Sequence, residues 1–151
     1  MKYEISSLEE TEKVARDFVM NIVPNPETAT VVGLYGDLGA GKTNFTQAVA
    51  KVLGIEESVV SPTFVIEKIY DLPDQNGLRT DKFSHLIHID AYRLEKSEEL
   101  LHLGWREIIA NPKNLILIEW PERVSDIMPE HIKISLKHTK NEQSREVEIV
   151  M

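Results

Sequence analysis

The 151-residue sequence has no cysteine, which excludes a disulfide framework and a cysteine-ligated zinc site. It has no apolar run near the roughly 20 residues that a helix needs to cross a bilayer. Met1-Lys-Tyr-Glu-Ile5 lacks the apolar core of a signal peptide. The expectation is a cytoplasmic protein with no membrane association. There is also no run of Lys or Arg, and 17 basic residues against 25 acidic ones give a formal charge of −8. Nucleic-acid affinity depends heavily on cationic contacts to phosphate, so any role on RNA or DNA is expected to pass through a partner. Internal repeats and low-complexity segments are absent. What remains is a chain with 42% hydrophobic residues, long enough for a single domain over 1–151 with a substantial core.

The most informative stretch is Gly36-Asp-Leu-Gly-Ala-Gly-Lys-Thr43, which fits the phosphate-binding loop pattern. Glycines at 36, 39 and 41 let the backbone bend into a ring of inward N–H groups, which with the following helix N-terminus can hold phosphate oxygens. Lys42 would reach the outer phosphates, and the Thr43 hydroxyl would ligate Mg²⁺. The context agrees. Residues 30–35 read as a buried strand, and residues 44–53 as a helix with Phe45, Ala48, Val49 and Val52 on one face, stopped by Gly54.

Upstream, Tyr3 and Ile5 alternate as in a short strand. Ser6 and Ser7 with Glu9 and Glu10 give overlapping capping boxes for a helix whose apolar face carries Leu8, Thr11, Ala15, Phe18 and Ile22. Pro24 and Pro26 end it. Thr11 would contact a nucleotide if the start of that helix lies near the loop.

Downstream, Ser61-Pro-Thr-Phe64 enters a strand over 64–70, and Thr63 is a candidate sensor of a γ-phosphate and its Mg²⁺, as in GTPase switch segments. Residues 85–90 form a second strand, with the two expected to pair as a hairpin. His88 and Asp90 share a face. Asp90 suits a carboxylate that holds a ligand of Mg²⁺ from behind, one that orients water, or a half-exposed strand end. Ser97 is a candidate N-cap of a helix with Leu100, Leu101, Leu103, Trp105 and Ile108, interrupted at Gly104. Asn114-Leu-Ile-Leu-Ile-Glu-Trp120 is a strand ending in a carboxylate. In a parallel sheet its tip and the phosphate loop lie at the same edge, where Glu119 can hold Mg²⁺ and Trp120, Glu122 and Arg123 can line the nucleotide pocket. Residues 131–138 alternate with Ile132, Ile134 and Leu136 on one face, and residues 145–151 do the same with Val147, Ile149 and Met151, around a turn at 141–144 that gives an antiparallel C-terminal hairpin.

The ordered set of Gly36-Asp-Leu-Gly-Ala-Gly-Lys-Thr43, Ser61-Pro-Thr-Phe64, His88-Ile-Asp-Ala-Tyr-Arg93 and Ile118-Glu-Trp-Pro-Glu-Arg123 resembles the TsaE family, formerly YjeE. These are small P-loop ATPases of bacterial tRNA threonylcarbamoyladenosine synthesis. The resemblance implies an α/β P-loop NTPase fold, with a mixed, mainly parallel central sheet flanked by helices. It implies slow ATP hydrolysis with Mg²⁺ on Thr43 and Glu119, and docking onto TsaD and TsaB, with tRNA reached only through that complex. Lys42, Thr63, Asp90 and Glu119 would be the catalytic set. Thr11, Gly36, Asp37, Leu38, Gly39, Ala40, Gly41, Lys42, Thr43, Asn44, Trp120, Glu122 and Arg123 would surround the nucleotide. Three other readings remain open. A small-molecule kinase would need an arginine-bearing lid, and residues 72–84 hold only Arg79. A GTPase would need an Asn-Lys-x-Asp motif, which is absent. A nucleotide-gated binding module would use ATP to control docking alone.

Overall fold

A computed structural model describes residues 1–57, 59, 66–73 and 82–151. Among them, strands β1 (Lys2–Ile5), β2 (Thr30–Tyr35), β3 (Glu67–Asp71), β4 (His85–Asp90), β5 (Asn114–Glu119), β6 (Ile132–His138) and β7 (Arg145–Val150) form one sheet of order β1-β7-β6-β2-β5-β4-β3. The four inner strands β6, β2, β5 and β4 run parallel. The pairs β1–β7, β6–β7 and β3–β4 are antiparallel. The mixed α/β architecture expected from the sequence is therefore present, as are both hairpins.

Helices cover both faces of the parallel centre, so its strands are buried on both sides. All six residues of β5 are buried. Leu115 and Leu117 pack with Phe18 of α1 (Leu8–Asn21) and with Phe45 and Val49 of α2 (Lys42–Val52). Ile116 and Ile118 face the other way, toward Leu100 of α3 (Ser97–His102), Trp105 of α4 (Trp105–Ile109) and Val124 of a 3₁₀ helix over Pro121–Ile127. The period-two alternation of a strand sets this division, and it also sends Glu119 to the α2 face.

Several local expectations are refined. Ser7 caps α1, its hydroxyl accepting from the Glu10 amide at 3.1 Å. Leu8, expected on the buried face, is 71% exposed because it opens the helix ahead of the turns that meet the sheet; Val14 and Val19 fill the face instead. Ser97 is the first helical residue rather than the cap. Its hydroxyl bonds the Asp126 carboxylate, while Glu99 accepts from the amides of Glu95 and Lys96. Met151 lies beyond the end of β7 and is exposed. The strand expected at 64–70 is observed as Glu67–Asp71; Ile66 forms a bend, and 64 and 65 lie outside the described residues. Trp105 is packing, as read: it is buried, with its indole N–H on the Ile127 carbonyl at 3.2 Å.

Gly104 separates α3 from α4 with φ of +86°, and a Cβ there would meet nothing closer than 3.6 Å. Backbone conformation alone fixes this residue. Gly104→Ala is expected to cost about 1–2 kcal/mol, measured as a lowered midpoint in urea unfolding with an unchanged m-value.

Candidate active site

The glycine loop joins β2 to α2. Gly36, Gly39 and Gly41 have φ of +148°, +78° and +102°. Gly36 is required by a close approach as well as by its dihedral. A Cβ there would stand 2.5 Å from the Leu136 carbonyl oxygen of β6. Just before it, the Tyr35 hydroxyl bonds His131 Nε2 at 2.8 Å, and His131 Nδ1 bonds the Pro129 carbonyl at 2.7 Å. Since Nδ1 donates to that carbonyl, Nε2 accepts from the Tyr35 hydroxyl. Burial, aided by the charge of Glu122, raises the Tyr35 pKa.

Lys42 is only 5% exposed. Its ammonium donates to the Gly36 carbonyl and, at 3.3 Å, to that of Asp37, and lies 3.7 Å from the centroid of the Trp120 ring. Burial pushes its pKa below the ordinary lysine range, and the carboxylates of Glu119, Glu122, Asp90 and Asp37 oppose that shift. Trp120 has φ of +57°, alone among the described non-glycine residues in being positive. Such strain persists where surrounding contacts impose it. Here Pro121 disfavours the right-handed helical region for Trp120, and the ring is held between Lys42 and Tyr92, whose centroid lies 5.1 Å away. Arg123 stacks behind Tyr92 at 5.4 Å.

Glu119, 3% exposed, ends β5 beside the first turn of α2. The Thr43 hydroxyl lies 3.0 Å from its Oε1 and 3.2 Å from its Oε2, and His88 Nε2 is 2.6 Å from Oε2. Asp90 pairs with Glu119 in the β4–β5 register, and its Oδ1 accepts from the Tyr92 amide at 3.0 Å. Mg²⁺ takes hard oxygen ligands at about 2.1 Å in an octahedron, so two adjacent ligands stand about 3.0 Å apart. The Thr43 and Glu119 oxygens fit that spacing. Among the described residues no group of three His, Asp or Glu side chains could cage a metal. Two protein oxygens are the sparse set typical of a Mg²⁺ shared with substrate phosphates.

These residues bound a cleft of about 270 Å³ lined by Leu38, Gly39, Ala40, Gly41, Lys42, Thr43, Asn44, Asp90, Tyr92, Glu119 and Trp120. Across the loop a second cleft shares Gly39, Ala40, Gly41 and Asn44 and adds Ser7, Thr11 and Arg145. The start of α1 therefore lies near the loop, the condition set for Thr11, whose hydroxyl donates to the Ser7 carbonyl at 3.0 Å. Glu122 and Arg123, expected to line the pocket, stand behind it. The 3₁₀ turn after Pro121 carries them outward, where both are exposed, and they act on the cleft through charge and through Tyr92. Thr63 and the Ser61-Pro-Thr-Phe64 segment lie outside the described residues. His88 and Tyr92 were not among the sequence candidates. His88 shares a face with Asp90, but its contact with Glu119 requires knowing that β4 and β5 are neighbours.

Comparison with known proteins gives the family. A family model described as "Threonylcarbamoyl adenosine biosynthesis protein TsaE" matches residues 5–147. A tRNA threonylcarbamoyladenosine biosynthesis protein TsaE from Rickettsia typhi is 36% identical over 141 residues, spanning 92% of this chain and 88% of its own. Its namesake from Treponema pallidum is 38% identical over 112 residues, spanning 74% and 75%. The crystal structure of Bacillus subtilis YdiB matches with a TM-score of 0.72 at 30% identity, covering 97% of this chain and 82% of that one.

Gly36→Ala introduces both the clash with the Leu136 carbonyl and a disfavoured dihedral. It is expected to destabilise the protein by more than about 2 kcal/mol, read from urea unfolding.

Proposed function

The chain belongs to the TsaE family of tRNA threonylcarbamoyladenosine biosynthesis, and from that membership and the site geometry we propose that it is the ATP-binding, slowly ATP-hydrolysing subunit of this modification. The observation that supports the reading best is the 3.0 Å separation of the Thr43 hydroxyl and Glu119 carboxylate oxygens beside the glycine loop. The loop amides and Lys42 would hold the β- and γ-phosphates. Thr43 and Glu119 would hold Mg²⁺, which neutralises phosphate charge. Lys42 leaves the Gly36 and Asp37 carbonyls to meet the anion, and in a buried cleft that exchange of a neutral acceptor for a charged one is favourable. Asp90, across from Glu119, orients water for in-line attack, with Thr63 as the second candidate for that task.

With no internal arginine finger legible in the sequence, loose positioning of water would make the isolated chain slow. Docking onto TsaD and TsaB would complete the arrangement. A chain of charge −8 is poorly suited to bind tRNA directly, so tRNA contact would pass through those partners in the cytoplasm. Among the described residues no helix is long and apolar enough to cross a membrane.

Lys42→Ala and Glu119→Ala test the site. Loss of a charge-assisted contact worth about 1.5–3 kcal/mol corresponds to roughly 10–150-fold. Lys42→Ala is expected to weaken ATP binding by that factor in calorimetry, and Glu119→Ala to weaken it when Mg²⁺ is present. Retained binding and turnover in both would contradict the assignment. Phosphate release by the wild-type protein should rise when TsaD and TsaB are added; equal rates with and without them would refute the role of the partners.

A further inference from the structure

His88 has no exposed surface, although its strand neighbours Leu86, Ile87 and Ile89 are all buried and apolar. A polar ring in such a strand is costly unless it is bonded, and leucine would serve packing alone. Leu86 and His88 share the α2 face with Leu115, Leu117 and Glu119 of the adjacent strand. A carboxylate accepts only, so the ring proton facing Glu119 sits on Nε2 and donates to Oε2 across 2.6 Å. Nδ1 is buried with no partner among the described residues, which leaves Glu119 as the ring's bonding contact.

The last torsion of a glutamate is broad, and Thr43 lies within reach of both carboxylate oxygens. Without a second tether the carboxylate could turn either oxygen to the cleft. The His88 bond occupies Oε2 and leaves Oε1 beside the Thr43 hydroxyl. We propose that His88 is a positioning residue that locks the Glu119 carboxylate so that Oε1 and Thr43 together meet the nucleotide-bound Mg²⁺. The proposal rests on the reading of the site as one for Mg²⁺ and nucleotide. Partners of this kind behind a ligating carboxylate typically change metal affinity by about 10–100-fold.

The test is calorimetric titration of ATP into the full chain, once with MgCl₂ and once with EDTA. His88→Leu is expected to reduce the Mg²⁺-dependent gain in ATP affinity by about 10–100-fold while leaving the affinity in EDTA unchanged. His88→Gln, whose amide donates from a similar reach, should recover most of the gain. Should leucine prevent folding, His88→Asn, too short to reach Glu119, replaces it. A full Mg²⁺-dependent gain in the leucine or asparagine variant would overturn the proposal. So would equal losses with and without the metal, or no recovery with glutamine. Wild-type protein showing no Mg²⁺-dependent gain would overturn the underlying reading of the site, and this proposal with it.

Discussion

A carboxylate buried at the end of a parallel strand must be partnered, and much of this molecule is arranged around that requirement at Glu119. Removing a charge from water costs several kcal/mol unless hydrogen bonds replace the lost hydration. The partners come from the two strands that flank β5. β2 leads through the glycine loop to Thr43, and β4 carries His88. Because all three strands run parallel, their carboxyl ends meet at one edge of the sheet. A reversed β4 or β2 would carry the corresponding side chain to the opposite edge.

A second buried charge stands near the first. Lys42 is withdrawn from solvent at the start of α2, where the helix dipole disfavours a cation. Loop carbonyls, the face of Trp120 and four nearby carboxylates offset that cost. The left-handed conformation of Trp120 brings its ring over the ammonium, and Tyr92 and Arg123 support it from behind. The cleft thus holds a buried cation and a buried carboxylate close together, the first on loop carbonyls and the Trp120 ring, the second on Thr43 and His88.

The antiparallel margins serve a different purpose. β1 and β7 extend the sheet beyond β6, and β3 extends it beyond β4. They keep the strands that carry Glu119, His88 and the glycine loop in the interior, where both faces are covered and registers are firmly set. The Leu136 carbonyl of β6 also presses against Gly36, so the C-terminal hairpin helps shape the loop although it contributes little to the walls of the cleft.

Local chemistry was readable in the chain itself. The glycine spacing from 36 to 41, the apolar runs at 30–35 and 114–119 and the alternation at 131–138 each encode one dominant conformation, because steric freedom and periodic burial act over a few residues. Those signals identified the loop, the inner strands and both hairpins. Where a side chain's partner is far along the chain, the sequence was silent. Ser97 reads as a cap until Asp126 claims its hydroxyl, and Glu122 and Arg123 read as pocket walls until the 3₁₀ turn swings them outward. The contact of His88 with Glu119 spans 31 residues and exists only because the sheet places β4 next to β5. Strand order is set by the summed burial of the whole core, and no short window of sequence contains it.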